Sequence, residues 1–273
     1  MLPGLPFSPL SVQTPMRLSA GHAVFAATLV AIGIMGLLEG DFAPVWEPVP
    51  KWVPGRELLA WLCGCISLGC GAGLLWPRTR AMASRLLLLT LLVWLLVFRV
   101  PVILRAPSVV VSWEGCGETA VIVAGAWVLY AWFAGGWDRP RPVFLSGASG
   151  VRIGRILYGL ALIAFGLAHF AYAKETAALV PAWLPAHAFW VYLTGTTYVA
   201  AGGAVLSGVR ASAAAALAAL QMGVFTLLVW LPVAATGHAD ASQLSETILS
   251  VALTAAGWVV ADSYRAGPHR ADA

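Results

Sequence analysis

Eight runs of about twenty apolar residues leave this chain few folds to adopt. They fall at 20–38, 58–76, 84–103 and 117–135, then at 154–173, 188–207, 211–231 and 246–262. About twenty residues of α-helix cross a hydrocarbon core about 30 Å thick. Inside that core every backbone N–H and C=O must find a partner within the helix or in a closed barrel, and these runs are twice as long as barrel strands. The chain is therefore expected to be an all-α membrane protein of eight transmembrane helices. Composition agrees: 10% of residues are charged and 60% hydrophobic, where soluble domains carry about 25% charged residues.

The eight runs divide into two sets of four. VPKWVPGRELLAWLCG at Val49–Gly64 returns as VPAWLPAHAFWVYLTG at Val180–Gly195, 131 residues later. That shift pairs Pro50 with Pro181, Trp52 with Trp183, Pro54 with Pro185 and Gly64 with Gly195. It also pairs Gly71 with Gly202 and Pro101 with Pro232. The reading is a tandem duplication: a tail at 1–19, a four-helix repeat at 20–135, a linker at 136–153, a second four-helix repeat at 154–264 and a tail at 265–273. Four is even, so the second repeat enters the membrane with the orientation of the first, and the repeats are parallel.

The formal net charge of +4 follows the membrane rather than a nucleic acid. With the N-terminus inside, eleven arginines lie on inner segments, and five lysines and arginines lie on outer ones. An excess of Lys and Arg on cytoplasmic loops places both termini in the cytoplasm. This points to a multi-pass protein of the inner (plasma) membrane with the lipid bilayer as its partner, and leaves room for a membrane protein partner. The prolines at 44, 48, 50 and 54 exclude regular helix from the first outer loop. Its Trp46 and Trp52 suit the membrane interface, and the loop reads either as a lid or docking surface or, more plainly, as an interfacial re-entry that sets helix spacing.

Few polar residues interrupt the spans. His169 follows Gly166 by three residues near the outer boundary, and with a one-residue gap Glu39 is its counterpart. A titratable group in both copies suggests proton handling, because histidine titrates near neutral pH; a hydrogen-bonded structural histidine is the plainer alternative. Arg99, near the outer end of the third span, either contacts an anion or a quinone head group or snorkels to the interface. Glu118 and Glu246 precede similar threonines at the starts of the fourth and eighth spans, where the helix macrodipole favours acidic caps. Gln221, near the middle of the seventh span and aligned with Thr90, reads as an interhelical hydrogen-bonding residue. In the second span Gly69 and Gly73 have the GxxxG spacing that allows close helix approach. Cys63 and Cys65 become Thr194 and Thr196 in the second copy, so they read as packing residues rather than a redox pair. No metal-spaced ligand cluster, nucleotide loop or activated nucleophile is present, so no complete active site is evident.

The run GLAHF followed by VPAWLPAHAFWVYLTGTTYVAAGGAVL resembles the DoxX-like family of small four-helix membrane proteins. The likeness rests on Gly166, His169, Phe170, Pro181, Trp183, Leu184, Pro185, Trp190, Gly195 and Gly202. The first copy keeps the VPxWVP loop but has Glu39 and Leu59 where the family-like histidine and Trp190 stand. The resemblance implies a four-helix bundle per repeat and a subunit that binds lipid, quinone or a protein partner. It allows quinone as a cofactor, in a quinone-linked oxidoreductase subunit where His169 relays a proton. A small-molecule transporter with a path between the repeats is the other reading.

Overall fold

The computed structural model describes residues 19–133, 146–237 and 240–265; most of the two expected tails and of the linker lies outside them. Eight helices are long and apolar enough to cross a membrane. They are α1 (Ala20–Glu39), α2 (Arg56–Leu75), α3 (Arg80–Arg105) and α4 (Val110–Phe133), then α5 (Gly147–Ala171), α7 (His187–Ser207), α8 (Ala211–Ala235) and α9 (Ala241–Arg265). A short helix, α6 (Ala173–Leu179), lies between α5 and α7. Large apolar side chains such as Leu86, Leu89, Val93, Leu217 and Leu220 are exposed on this surface, as the lipid-facing side of a bundle requires.

The offset of 131 reappears in the element bounds. It separates the starts of α2 and α7, of α3 and α8, and of α4 and α9. Both α3 and α8 contain one π-helical segment, Leu95–Arg99 and Thr226–Trp230, each two residues before a proline. The prolines, Pro101 and Pro232, have no N–H to donate and their rings crowd the preceding turn, so the helix widens locally instead of breaking.

Consecutive spans within each half pack together, and the halves interlock. In the first half α1 packs on α2, α2 on α3 and α3 on α4; in the second α5 packs on α7, α7 on α8 and α8 on α9. Across the halves α4 packs on α5, α9 packs on α1, and α4 and α9 meet each other. The ring closes around the α4–α9 contact.

Glycines fix the closest contacts, and of the pair that the spacing singled out only Gly73 is among them. A Cβ on Gly69 would meet nothing within 4 Å, and one on Gly73 would meet Ala83 of α3. The close approach of α1 and α2 rests on Gly33, where a Cβ would fall 2.5 Å from the Leu68 backbone nitrogen, and on Gly71, 2.7 Å from the Ala26 carbonyl. Gly166 and Gly202 do the same for α5 and α7, against Val199 and Gly159. These contacts also fix the register. Gly33 and Gly166 meet equivalent residues of α2 and α7, so α1 and α5 correspond with an offset of 133. The structural counterpart of His169 is therefore Gly36, and Glu39 is not. Glu39 is an exposed residue at the end of α1.

The first loop also departs from expectation. Trp52 is 77% exposed, as an interfacial residue should be, but Trp46 is fully buried. The chain from Phe42 to Val49 folds into the space between α2 and α3. There the Trp46 indole N–H donates to Ser67 Oγ at 2.8 Å, and Trp94 donates to the Trp46 carbonyl at 2.8 Å. The Trp46 and Trp94 rings meet edge to face with centroids 5.0 Å apart. Trp46 satisfies its own polar atom and two of its neighbours' inside the core, which is what allows so large an amphipathic residue to be buried.

Candidate functional site

The corresponding space in the second half is open. Tyr198 and Phe225 stand where Ser67 and Trp94 stand in the first half, and between them lies a chamber of about 230 Å³. Its walls come from five spans and from α6. They include Glu114 and Glu118 of α4, Phe165 and His169 of α5, Phe225 and Trp230 of α8, and Glu246 and Ser250 of α9. Beside it runs an apolar groove of about 470 Å³ between α7 and α8, roofed by α6 and by the Pro181–Leu184 turn. His169, Thr176, Leu179, Tyr198 and Phe225 line both spaces. The groove and the chamber therefore meet at the imidazole and the phenol.

Several local devices hold this opening. Gly195 lets α7 approach α5 at the histidine: a Cβ there would fall 2.9 Å from His169 Cβ and 2.7 Å from the Phe170 ring. In the π segment of α8, Thr226 bonds Ser250 at 2.7 Å and Thr254 at 3.1 Å, both on α9. At the groove the Trp190 indole N–H donates to the Pro185 carbonyl at 3.0 Å, closing the turn that holds Pro181 and Trp183.

His169 Nδ1 lies 2.8 Å from the Phe165 carbonyl. A carbonyl only accepts, so Nδ1 carries the proton and donates it, and in the neutral ring Nε2 is left as an acceptor. The ring meets Tyr198 edge to face at 5.5 Å. Gln221 is committed at both ends: its oxygen accepts from Thr197 at 2.5 Å and its amide donates to the Thr194 carbonyl at 3.1 Å. It joins α7 to α8 as an interhelical bond and lines the groove, not the chamber.

The acidic residues are not caps. No acidic residue lies in the first turn of α4 or α9. Both helices begin five to seven residues earlier than the apolar runs suggested, so Glu118 and Glu246 are one to two turns inside. Glu114, one turn before Glu118 on the same face of α4, joins them at the chamber. Among the described residues no hydrogen bond or close ion pair holds these three carboxyls.

Arg99 does not snorkel. Its guanidinium turns inward from the π segment of α3 onto α4, where a Cβ on Gly115 would lie 2.6 Å from Nη1. Its Nε is buried without a hydrogen bond, and Glu118 is its strongest electrostatic partner. Glu47, in the loop outside the spans, has its carboxyl held above the ordinary range by partial burial and next by the Asp41 carboxylate, against Arg56 and Arg99. The four cysteines are free, with Cys63 and Cys70 buried, Cys116 half-buried and Cys65 exposed. Among the described residues no cluster of His, Cys, Asp and Glu can hold a metal ion.

A family model described as Domain of unknown function (DUF8561) matches residues 158–261, less than half of the chain. No curated protein and no solved structure matches the chain. The matched stretch holds His169, Tyr198, Gln221 and Glu246, while Glu114, Glu118 and Arg99 come from the other half. None of these comparisons bears on the DoxX-like resemblance.

Of the residues singled out from sequence, His169, Glu118 and Glu246 share the chamber, Arg99 backs it and Gln221 flanks it. Glu39 lies elsewhere. Sequence reasoning passed over Glu114 and Tyr198. The four-residue spacing of Glu114 and Glu118 was the available signal for the first, since it puts both on one helix face. Nothing marked Tyr198, which aligns with a serine.

Proposed function

We propose that this integral membrane protein is a binding protein for an amphipathic molecule drawn from the bilayer, with the site in its second half. The observation that carries the reading is the junction at His169 and Tyr198, where an apolar groove between two lipid-facing helices opens into a chamber lined by ionisable groups. A ligand with an apolar body and one polar end matches that layout. Lateral entry avoids moving the polar end through protein, and the groove's aliphatic walls replace lipid contacts at little cost. In this reading both termini are cytoplasmic, the inner membrane is the home of the protein, and the two halves descend from one DoxX-like unit. Neither Thr90, half-buried and bonded to the Leu86 carbonyl of its own helix, nor the committed Gln221 supports a polar path through the middle.

Native mass spectrometry of protein released from its own membrane tests the reading. One small molecule per chain is expected, and Thr176→Trp, which puts an indole where groove and chamber meet, is expected to remove it. A chain that carries only loosely held lipid, unchanged by Thr176→Trp, would overturn the proposal.

A further inference from the structure

The amphiphile reading leaves the chemistry of the polar end open, and an inventory of donors and acceptors decides it. His169 uses its Nδ1 proton on Phe165 and offers the chamber a lone pair. Thr176 donates to the Tyr172 carbonyl at 2.9 Å, and Ser250 and Thr226 bond each other. The three carboxyls of Glu114, Glu118 and Glu246 line the chamber without a hydrogen bond among the described residues, and Glu118, the most deeply enclosed of them, has the Arg99 guanidinium as its charged neighbour. Against these stand the Tyr198 hydroxyl, which already neighbours Gln221, and the Trp230 indole. A ligand entering this space meets an excess of acceptors, so it is better matched if it donates.

Charge and wall chemistry point the same way. Three carboxyls line the chamber, Glu114 and Glu118 half-buried and Glu246 exposed at its edge, and one guanidinium, Arg99, stands behind it, so acid outnumbers base by two. An ionised carboxylate away from water is costly unless a positive group pairs with it. Among the remaining walls, which also include Leu179, Met222, Leu249 and Leu253, four aromatic rings form two edge-to-face pairs: Phe165 with Tyr198, centroids 5.9 Å apart, and Phe225 with Trp230, 6.4 Å apart. Aromatic faces beside carboxylates are the surroundings in which organic ammonium ions are bound.

We propose that the site takes a lipophilic ammonium ion, with its apolar body in the groove between α7 and α8 and its cationic nitrogen in the chamber among Glu114, Glu118 and Glu246. This rests on the binding reading above and narrows it. A neutral amphiphile would leave the carboxyls without donors, and an anionic one would meet them head on.

The test uses the full chain in phosphatidylcholine nanodiscs and three probes of equal chain length: octylammonium, octanol and octanoate. Saturable binding is measured against empty nanodiscs. Octylammonium is expected to bind once per chain, roughly tenfold or more tighter than either other probe. Glu118→Gln and Glu246→Gln, which keep side-chain shape, are each expected to weaken octylammonium roughly tenfold and to leave octanol unchanged. Octanol or octanoate binding as tightly as octylammonium, or octylammonium affinity unchanged in both glutamine variants, overturns the inference. Thr176→Trp separates the two layers. If all three probes bind alike and Thr176→Trp removes them, the cavity holds amphiphiles without regard to charge and only the cation inference falls. If no probe binds, or Thr176→Trp changes nothing, the cavity reading falls with it.

Discussion

Between α2 and α3 the loop from Phe42 to Val49 fills the bundle, with Trp46 at full burial and bonded to both helices. Between α7 and α8 the same volume is hollow. The α6 segment that replaces the loop stays at the rim and buries none of its side chains, while His169 and Tyr198 stand where Gly36 and Ser67 stand in the first half. The small residues at 36 and 67 admit the Trp46 plug; the larger polar ones at 169 and 198 border a cavity. One helical frame thus carries a solid half and an open half, and the open half borrows Glu114 and Glu118 from the solid one through the α4–α5 contact. If the cavity binds an amphiphile as proposed, the apolar body sits in the second half, and the first contributes two of the three carboxyls.

Removing the plug is expected to have the largest effect. Trp46→Ala empties a fully buried site, leaves Ser67 without its indole donor and removes the ring that Trp94 meets edge to face, so a loss of about 3–5 kcal/mol is expected. Reversible denaturant unfolding in mixed micelles measures it. A loss below about 1 kcal/mol would mean that the first half is not held by its loop, and the contrast between the halves would collapse.

Exchanging the residue under the plug comes next. At Gly36 a Cβ would lie 3.3 Å from the Asp41 carbonyl and 3.7 Å from Ala43 Cβ, so Gly36→His must push the loop outward. A cost of about 1–3 kcal/mol is expected in the same unfolding assay. If the variant is as stable as the parent, the first half can open, and the two halves differ less than their packing implies.

The eight-span helical architecture was open to a reading of the sequence, because apolar runs and prolines are local signals of helix and kink. The site was open only in part. Hydropathy set the starts of α4 and α9 too late, since Glu114 in one and Ser242, Gln243 and Ser245 in the other end the apolar run although the helix continues through them. That error turned chamber residues into caps. The pairing of His169 with Glu39 failed for another reason: α1 and α5 follow an offset of 133, not 131, and only the glycine contacts between helices reveal those two residues. Burial of Trp46 was illegible, because the bilayer interface and a bundle interior both accept an indole that keeps a hydrogen-bond partner.

A smaller effect is expected in the π segment of α8. Leu95, at the equivalent place in α3, is buried among apolar side chains, whereas Thr226 bonds Ser250 and Thr254 of α9. Thr226→Val keeps the shape and removes both interhelical bonds, for an expected loss of about 1 kcal/mol. Unfolding reports the cost, and solvent protection of α9 amides by hydrogen exchange reports whether α8 and α9 separate.

The smallest change in stability is expected at the residue that matters most to the open half. His169 faces the chamber on one side, and its hydrogen bond goes to a carbonyl four residues back on its own helix, so His169→Ala leaves little new void and no neighbouring side chain without its partner. A loss of no more than about 1 kcal/mol follows, against several for Trp46→Ala. Binding should respond in the opposite sense, because the imidazole stands where groove and chamber join: loss of bound molecule from His169→Ala and retention in Trp46→Ala are expected by native mass spectrometry. If instead His169→Ala unfolds as readily as Trp46→Ala while keeping its ligand, the histidine is a packing residue of the second half and the chamber's chemistry rests on its carboxyls alone.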